Sequence, residues 1–292
     1  MSFEFSDNRP LKPGDIPNSV IRLVFGYSFN QPLYPGDIPD SVQELIFMDS
    51  NFDQILLPGS IPNSVKKLVM GHHFNQILKP GDIPNSVTHL VLSSWFNKPL
   101  KPGVIPNSVT HLFFGEFFNQ PLEKGIIPNS VLFLNIGARF NQPIKPGDIP
   151  NSVTRLDFGI LFDQPLKPGD IPDSVTYLTL GYRFNQSLEP KVIPNSVFYL
   201  DLGSFFNHPL ENIPDSVIYM TLRDDYEYLE SIPESIFVDI RPYNKWTISS
   251  CKYFEDNAME TDIFISKLNS GILGLIPNEL LFYMLEYYRP MN

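Results

Sequence analysis

The sequence predicts a mainly β solenoid, wound from about ten coils of roughly 22 residues that share one parallel sheet. Three observations carry this. The first is a period. Ile-Pro begins at Ile16, Ile38, Ile61, Ile83, Ile105, Ile127, Ile149, Ile171, Ile193, Ile213 and Ile232, and seven of the ten intervals are 22 residues. The second is an apolar pair at i, i+2 in every unit, which puts two side chains on one face of a short strand. The third is 29 prolines in 292 residues, too many for long helices, because an interior proline removes a helix hydrogen bond.

Each element of the coil follows from its residues. The paired apolar positions run Leu23/Phe25, Leu45/Phe47, Leu68/Met70, Leu90/Leu92, Leu112/Phe114, Leu134/Ile136, Leu156/Phe158, Leu178/Leu180, Leu200/Leu202 and Met220/Leu222. One coil cannot cover these alone, whereas stacked neighbours can. Glycine follows most strands (Gly26, Gly71, Gly115, Gly137, Gly159, Gly181, Gly203), as a tight turn or a positive φ requires. The Pro-rich return is expected to be extended. Phe followed by Asn or Asp recurs nine times, from Phe29 to Phe206. The amide of the Asn30 position can satisfy backbone groups within the turn. Asp53 and Asp163 lack its donor and are expected to be weak points. Asp7-Asn8 opens the first unit with a polar residue in place of Phe, as in a cap with one solvated side.

At these residues the chain resembles the FNIP-repeat proteins, named for the Phe-Asn/Ile-Pro signature, over about residues 7–235. The resemblance implies a relative of the leucine-rich repeat. Val20-x-x-Leu23-x-Phe25 has the spacing of that repeat's core. It also implies an origin in social amoebae or giant DNA viruses of amoebae, where such repeats often accompany an F-box. Residues 1–235 are accordingly read as the solenoid, with 1–15 as its N-terminal capping part, and residues 236–292 as a partly helical C-terminal segment.

Composition narrows the function. The net charge is −11 with no Lys/Arg-rich run, which disfavours nucleic acid and anionic membranes as partners. No stretch of about 18 apolar residues suggests a membrane span. The single cysteine, Cys251, fits a reducing compartment, so a cytoplasmic location is expected, host cytoplasm if the chain is viral. No nucleophile elbow, phosphate loop or zinc-protease motif occurs, so no enzyme activity and no cofactor are expected. His89 and His111 lie one coil apart but lack a third ligand at metal spacing.

The residues the period leaves free are the candidate site. Flanking Leu23 and its equivalents, two rows face away from the core. The first reads Arg22, Glu44, Lys67, His89, His111, Phe133, Arg155, Tyr177, Tyr199, Tyr219, and the second Val24, Ile46, Val69, Val91, Phe113, Asn135, Asp157, Thr179, Asp201, Thr221. Val69, Val91, Phe113, His89, His111, Phe133, Tyr177, Tyr199 and Tyr219 are the expected partner-binding residues on an exposed, concave sheet face. The competing explanation is that Val, Ile and Tyr simply suit strands.

In the last segment, Ile276-Pro277-Asn278-Glu279-Leu280-Leu281 and the apolar Met284 and Leu285 resemble the opening helix of an F-box. The resemblance implies that Ile276, Pro277, Leu280, Leu281, Met284 and Leu285 contact a Skp1-like adaptor of a cullin-type ubiquitin ligase. A helical cap over the end of the solenoid explains the same residues. The expected function is therefore a protein–protein interaction scaffold. Its alternatives are a ubiquitin-ligase substrate receptor and a structural subunit of a viral or cellular assembly.

Overall fold

The computed structural model describes residues 1–241 apart from 13, 48 and 49. Twelve short strands form one parallel sheet in chain order: β1 (Ser2–Phe5), β2 (Arg22–Phe25), β3 (Glu44–Ile46), β4 (Lys67–Val69), β5 (His89–Val91), β6 (His111–Phe113), β7 (Phe133–Asn135), β8 (Arg155–Asp157), β9 (Tyr177–Thr179), β10 (Tyr199–Asp201), β11 (Tyr219–Arg223) and β12 (Phe237–Arg241). Ten of these are the strands the period predicts. β1 and β12 were not foreseen, because neither carries a complete unit. Phe3 and Phe5 nonetheless take the register of Leu23 and Phe25, and Val238 pairs with Met220. The sheet thus runs on past the Ile-Pro at Ile232, where the period ends. The helical parts expected of the C-terminal segment, the F-box-like string from Ile276 among them, lie outside the described residues. Among the described residues the one helical element is a 3-10 turn at Leu229–Ser231.

Pairing is in step from coil to coil: Leu23 faces Leu45, Leu45 faces Leu68, and Leu68 faces Leu90. One interval has 23 residues, and its extra residue falls between Phe47 and Phe52, beyond the strand. The pairing therefore does not slip, which matters because a one-residue slip would turn every core side chain outward. Phe29, Phe52, Phe74, Phe96, Phe118, Phe140, Phe162, Phe184 and Phe206 are all fully buried. They form one row, with neighbouring ring centroids 6.1–6.4 Å apart and planes within 11° of parallel.

Two side-chain ladders hold the turns. The first is the Asn row. Asn8 Oδ1 accepts from the Asn30 backbone N–H at 3.0 Å, Asn75 Oδ1 from that of Asn97 at 3.0 Å, and Asn119 Oδ1 from that of Asn141 at 2.9 Å. Most of these oxygens also accept from the Gln Nε2 that follows, as Asn119 does from Gln142 at 3.1 Å. Only the acceptor is used in this ladder, so the expected weakness at Asp53 and Asp163 is corrected. Asp53 accepts from the Asn75 N–H at 2.8 Å, and Asp163 from the Asn185 N–H at 2.9 Å and from Gln186 at 2.9 Å.

The second ladder was not anticipated. From Ser41 to Ser196, the Ser of eight successive Ile-Pro-Asn/Asp-Ser-Val stretches donates its hydroxyl to the Val carbonyl one coil earlier, Ser41 to Val20 through Ser196 to Val175, at 2.6–2.7 Å. The cue was the constant Ser beside Ile-Pro, which hydropathy alone does not explain. In the first coil, Arg9 lies over the Phe5 ring. Its guanidinium lies 5.2 Å from the Phe5 ring centroid and is paired through both terminal nitrogens with Asp15, at 2.6 and 3.0 Å. That pairing holds the Asp15 carboxyl down to about 2, helped by the Lys12 backbone N–H.

Candidate partner-binding face

Alternation along each strand decides what the sheet presents. Leu23 and Phe25 are buried while Arg22 is exposed and Val24 half-buried. The same phase repeats at β4, β5, β7, β8 and β9. Both predicted rows therefore face away from the core.

The first row is a continuous stack of planar side chains. His89 lies on His111 with centroids 4.3 Å apart and planes at 4°. His111 neighbours Phe133 at 6.1 Å. The Arg155 guanidinium fills the next step, 5.1 Å from the Phe133 centroid and 4.5 Å from that of Tyr177. Tyr177 stacks on Tyr199 at 3.8 Å, Tyr199 on Tyr219 at 5.1 Å, and Tyr219 on Phe237 at 5.3 Å. Eight consecutive coils thus share one stack. Strand neighbours are about 4.8 Å apart, close to the separation at which flat side chains meet. At the other end of the row, Arg22 pairs with Glu44 at 3.6 Å.

The second row differs in part from expectation. Val24, Val69 and Val91 are half-buried, but Ile46 and Phe113 are buried. Phe113 tilts against Phe133 at 4.7 Å, so it supports the stack rather than presenting itself. Tyr199 is likewise only 9% exposed, because it is sandwiched by two tyrosines and its hydroxyl meets the Thr221 hydroxyl at 3.2 Å. The polar half of the row is tied down locally. Asn135, Asp157 and Asp201 each accept the backbone N–H of the glycine two residues on, at 2.8–2.9 Å. Asn135 also donates to Asp157 at 2.7 Å. Burial pushes the Asp157 carboxyl up, against the pull of the Gly159 N–H, Arg155 and Asn135.

The histidine pair is held neutral. Burial, then the charge of Lys67, lowers His89, and burial, then His89, brings His111 down to about 4. Each Nδ1 lies against the hydroxyl of the preceding threonine, Thr88 at 3.0 Å and Thr110 at 2.9 Å. No group of three or more His, Cys, Asp or Glu among the described residues is placed to hold a metal ion.

This arrangement gives a testable pH effect. The folded chain resists protonating His111, whose ordinary value is 6.5, while the unfolded chain does not. The stability tied to neutral His111 is therefore complete above about pH 6.5 and declines as pH falls towards 4. His111→Phe keeps a ring in the stack and removes the titration. Urea melts at neutral pH and at mildly acid pH should show a smaller acid loss in H111F than in the parent. An equal loss in both would refute the assignment.

Parallel strands in register, a buried aromatic row and one outward-facing sheet define a leucine-rich-repeat-like solenoid. The chain belongs to the FNIP-repeat family: the model for the FNIP Repeat matches residues 8–49, 29–73, 74–117, 118–160 and 162–205. Comparison with curated proteins gives no match. Among solved structures, the chain is similar to CroV588, a giant-virus protein described as a novel circular LRR protein. Identity is 35% and the TM-score 0.77, over 82% of this chain. The match spans about a third of that protein's length, 36%. Repeats of this family and fold are scaffold types, typical of protein–protein interaction. Among the described residues no helix is long and apolar enough to cross a membrane.

Proposed function

We propose that the chain is a cytoplasmic scaffold that binds a protein partner across the strand-start row of its sheet. The unbroken stack from His89 to Phe237 supports this reading. Its members are braced by their neighbours, so they lose little freedom when a partner covers them. Tyr and Arg are also the residues that dominate binding energy at interfaces. The half-buried Val69 and Val91 extend the surface towards the N-terminal coils. Tyr177→Ser with Tyr219→Ser should weaken capture of the partner from cell extract by on the order of tenfold or more, with Val69→Ser and Val91→Ser adding a smaller loss. The melting curves report whether the fold survives. Undiminished capture by a folded double variant would end this assignment.

The second reading rests on the string from Ile276 to Leu285, which lies outside the described residues. In it Ile276, Pro277, Leu280, Leu281, Met284 and Leu285 dock a Skp1-like adaptor, and the sheet carries the substrate to a ubiquitin ligase. A chain ending at Ser270 should then lose the purified adaptor while keeping its sheet-face partner. Equal adaptor binding by both chains, or none by either, removes the reading.

A further inference from the structure

A second row of side chains lies away from the strand-start stack, immediately before each core Phe. It reads His73, Trp95, Phe117, Arg139, Leu161 and Arg183 on successive coils. Trp95 is 51% exposed and stacks on Phe117 at 5.2 Å. His73 lies 5.6 Å from Trp95 on one side, and the Arg139 guanidinium covers Phe117 at 4.0 Å on the other. The residues preceding this row, from His72 to Tyr182, add one carboxylate, Glu116. The strip is thus aromatic and cationic on a chain whose net charge is −11.

We propose that this strip is a second docking surface, for an extended acidic segment of a partner protein that carries one aromatic anchor. Charge selects an acidic partner, because Arg139 and Arg183 are both exposed and the strip, with the residues preceding it, holds one carboxylate, Glu116. The Glu116–Arg139 pair, at 3.7 Å, has side chains 37% and 50% exposed, and an exposed pair is exchanged at little cost. Spacing sets the register. Two coils advance about 9.6 Å, and one three-residue turn of a polyproline-II chain about 9.3 Å, which brings every third side chain back to the same face. An aromatic residue over Trp95 therefore places the third residue beyond it at Arg139 and the sixth at Arg183. The pattern recognised is aromatic-x-x-Glu-x-x-Glu, in either chain direction.

The sequence contains two tryptophans, Trp95 and Trp246, so the full chain with Trp246→Phe reports on Trp95 alone. The probe is the synthetic peptide Phe-Ser-Gly-Glu-Ser-Gly-Glu. It should shift Trp95 emission saturably and bind more weakly as salt rises. Arg139→Gln with Arg183→Gln should weaken it by on the order of tenfold. A matching peptide with lysine for glutamate should not bind. Trp95→Ser, followed by anisotropy of a labelled peptide, should weaken binding comparably. Both variants should melt like the parent, since the altered side chains are exposed. The proposal is overturned if the acidic peptide fails to bind, if it binds the Arg variant as well as the parent, or if oligothymidylate binds and the peptide does not.

Discussion

Gly115→Ala is expected to unfold the middle coils, at a cost above about 4 kcal/mol. The backbone of Gly115 runs so close to the preceding coil that an added Cβ would sit 1.6 Å from the Ser93 carbonyl oxygen and 2.4 Å from its carbon. No rotamer relieves a clash between backbone atoms. The coils would have to separate, which breaks strand pairing on both sides. The expectation from sequence was a tight turn or a positive φ after each strand. Gly137, at φ +87, meets both demands, whereas close approach alone fixes Gly115. A control lies within the same chain. Gly103 has φ +83 and open space for a Cβ, and the equivalent position in a later coil is Lys191, at φ 68. Gly103→Ala should therefore cost only about 1–2 kcal/mol. Urea melts of the two variants should differ widely, and similar midpoints would disprove the account.

Phe118→Ala should cost about 3–5 kcal/mol, the next largest effect. Its ring is fully buried, lies 6.3 Å from both Phe96 and Phe140, and meets Phe114 at 4.3 Å. The backbone of this coil is pinned by the Asn97 and Asn119 bonds and by the sheet, so the site cannot collapse around the void. Phe118→Leu keeps most of the apolar volume and should recover part of the loss. A drop of less than about 1 kcal/mol for the alanine variant would show that neighbouring coils close over the gap.

How much could be read beforehand depends on distance along the chain. Leu23, Phe25, Phe29 and their equivalents were legible because one coil contains the whole hydrophobic pattern. The outward phase of His89, Phe133 and Tyr177 followed from alternation. Their joining into one stack did not, because it depends on how far each side chain leans towards a neighbour about 22 residues away. The burial of Phe113 and Tyr199 was hidden for the same reason. The Trp95 strip gave no periodic signal at all, since its row mixes His, Trp, Phe, Arg and Leu. The Asn row was located correctly, but its chemistry was read too broadly: the oxygen carries the ladder, so Asp serves as well as Asn.

The direction of the two ladders has a further consequence. In both, the later coil supplies the donor and the earlier coil the acceptor, from Asn30 bonding to Asn8 through to Asn207 bonding to Asn185. The array is therefore polar along its axis, with two unlike ends, as a polar filament is. A ribosome, working from the N-terminal side, releases the coils in the order in which each finds its acceptors already in place.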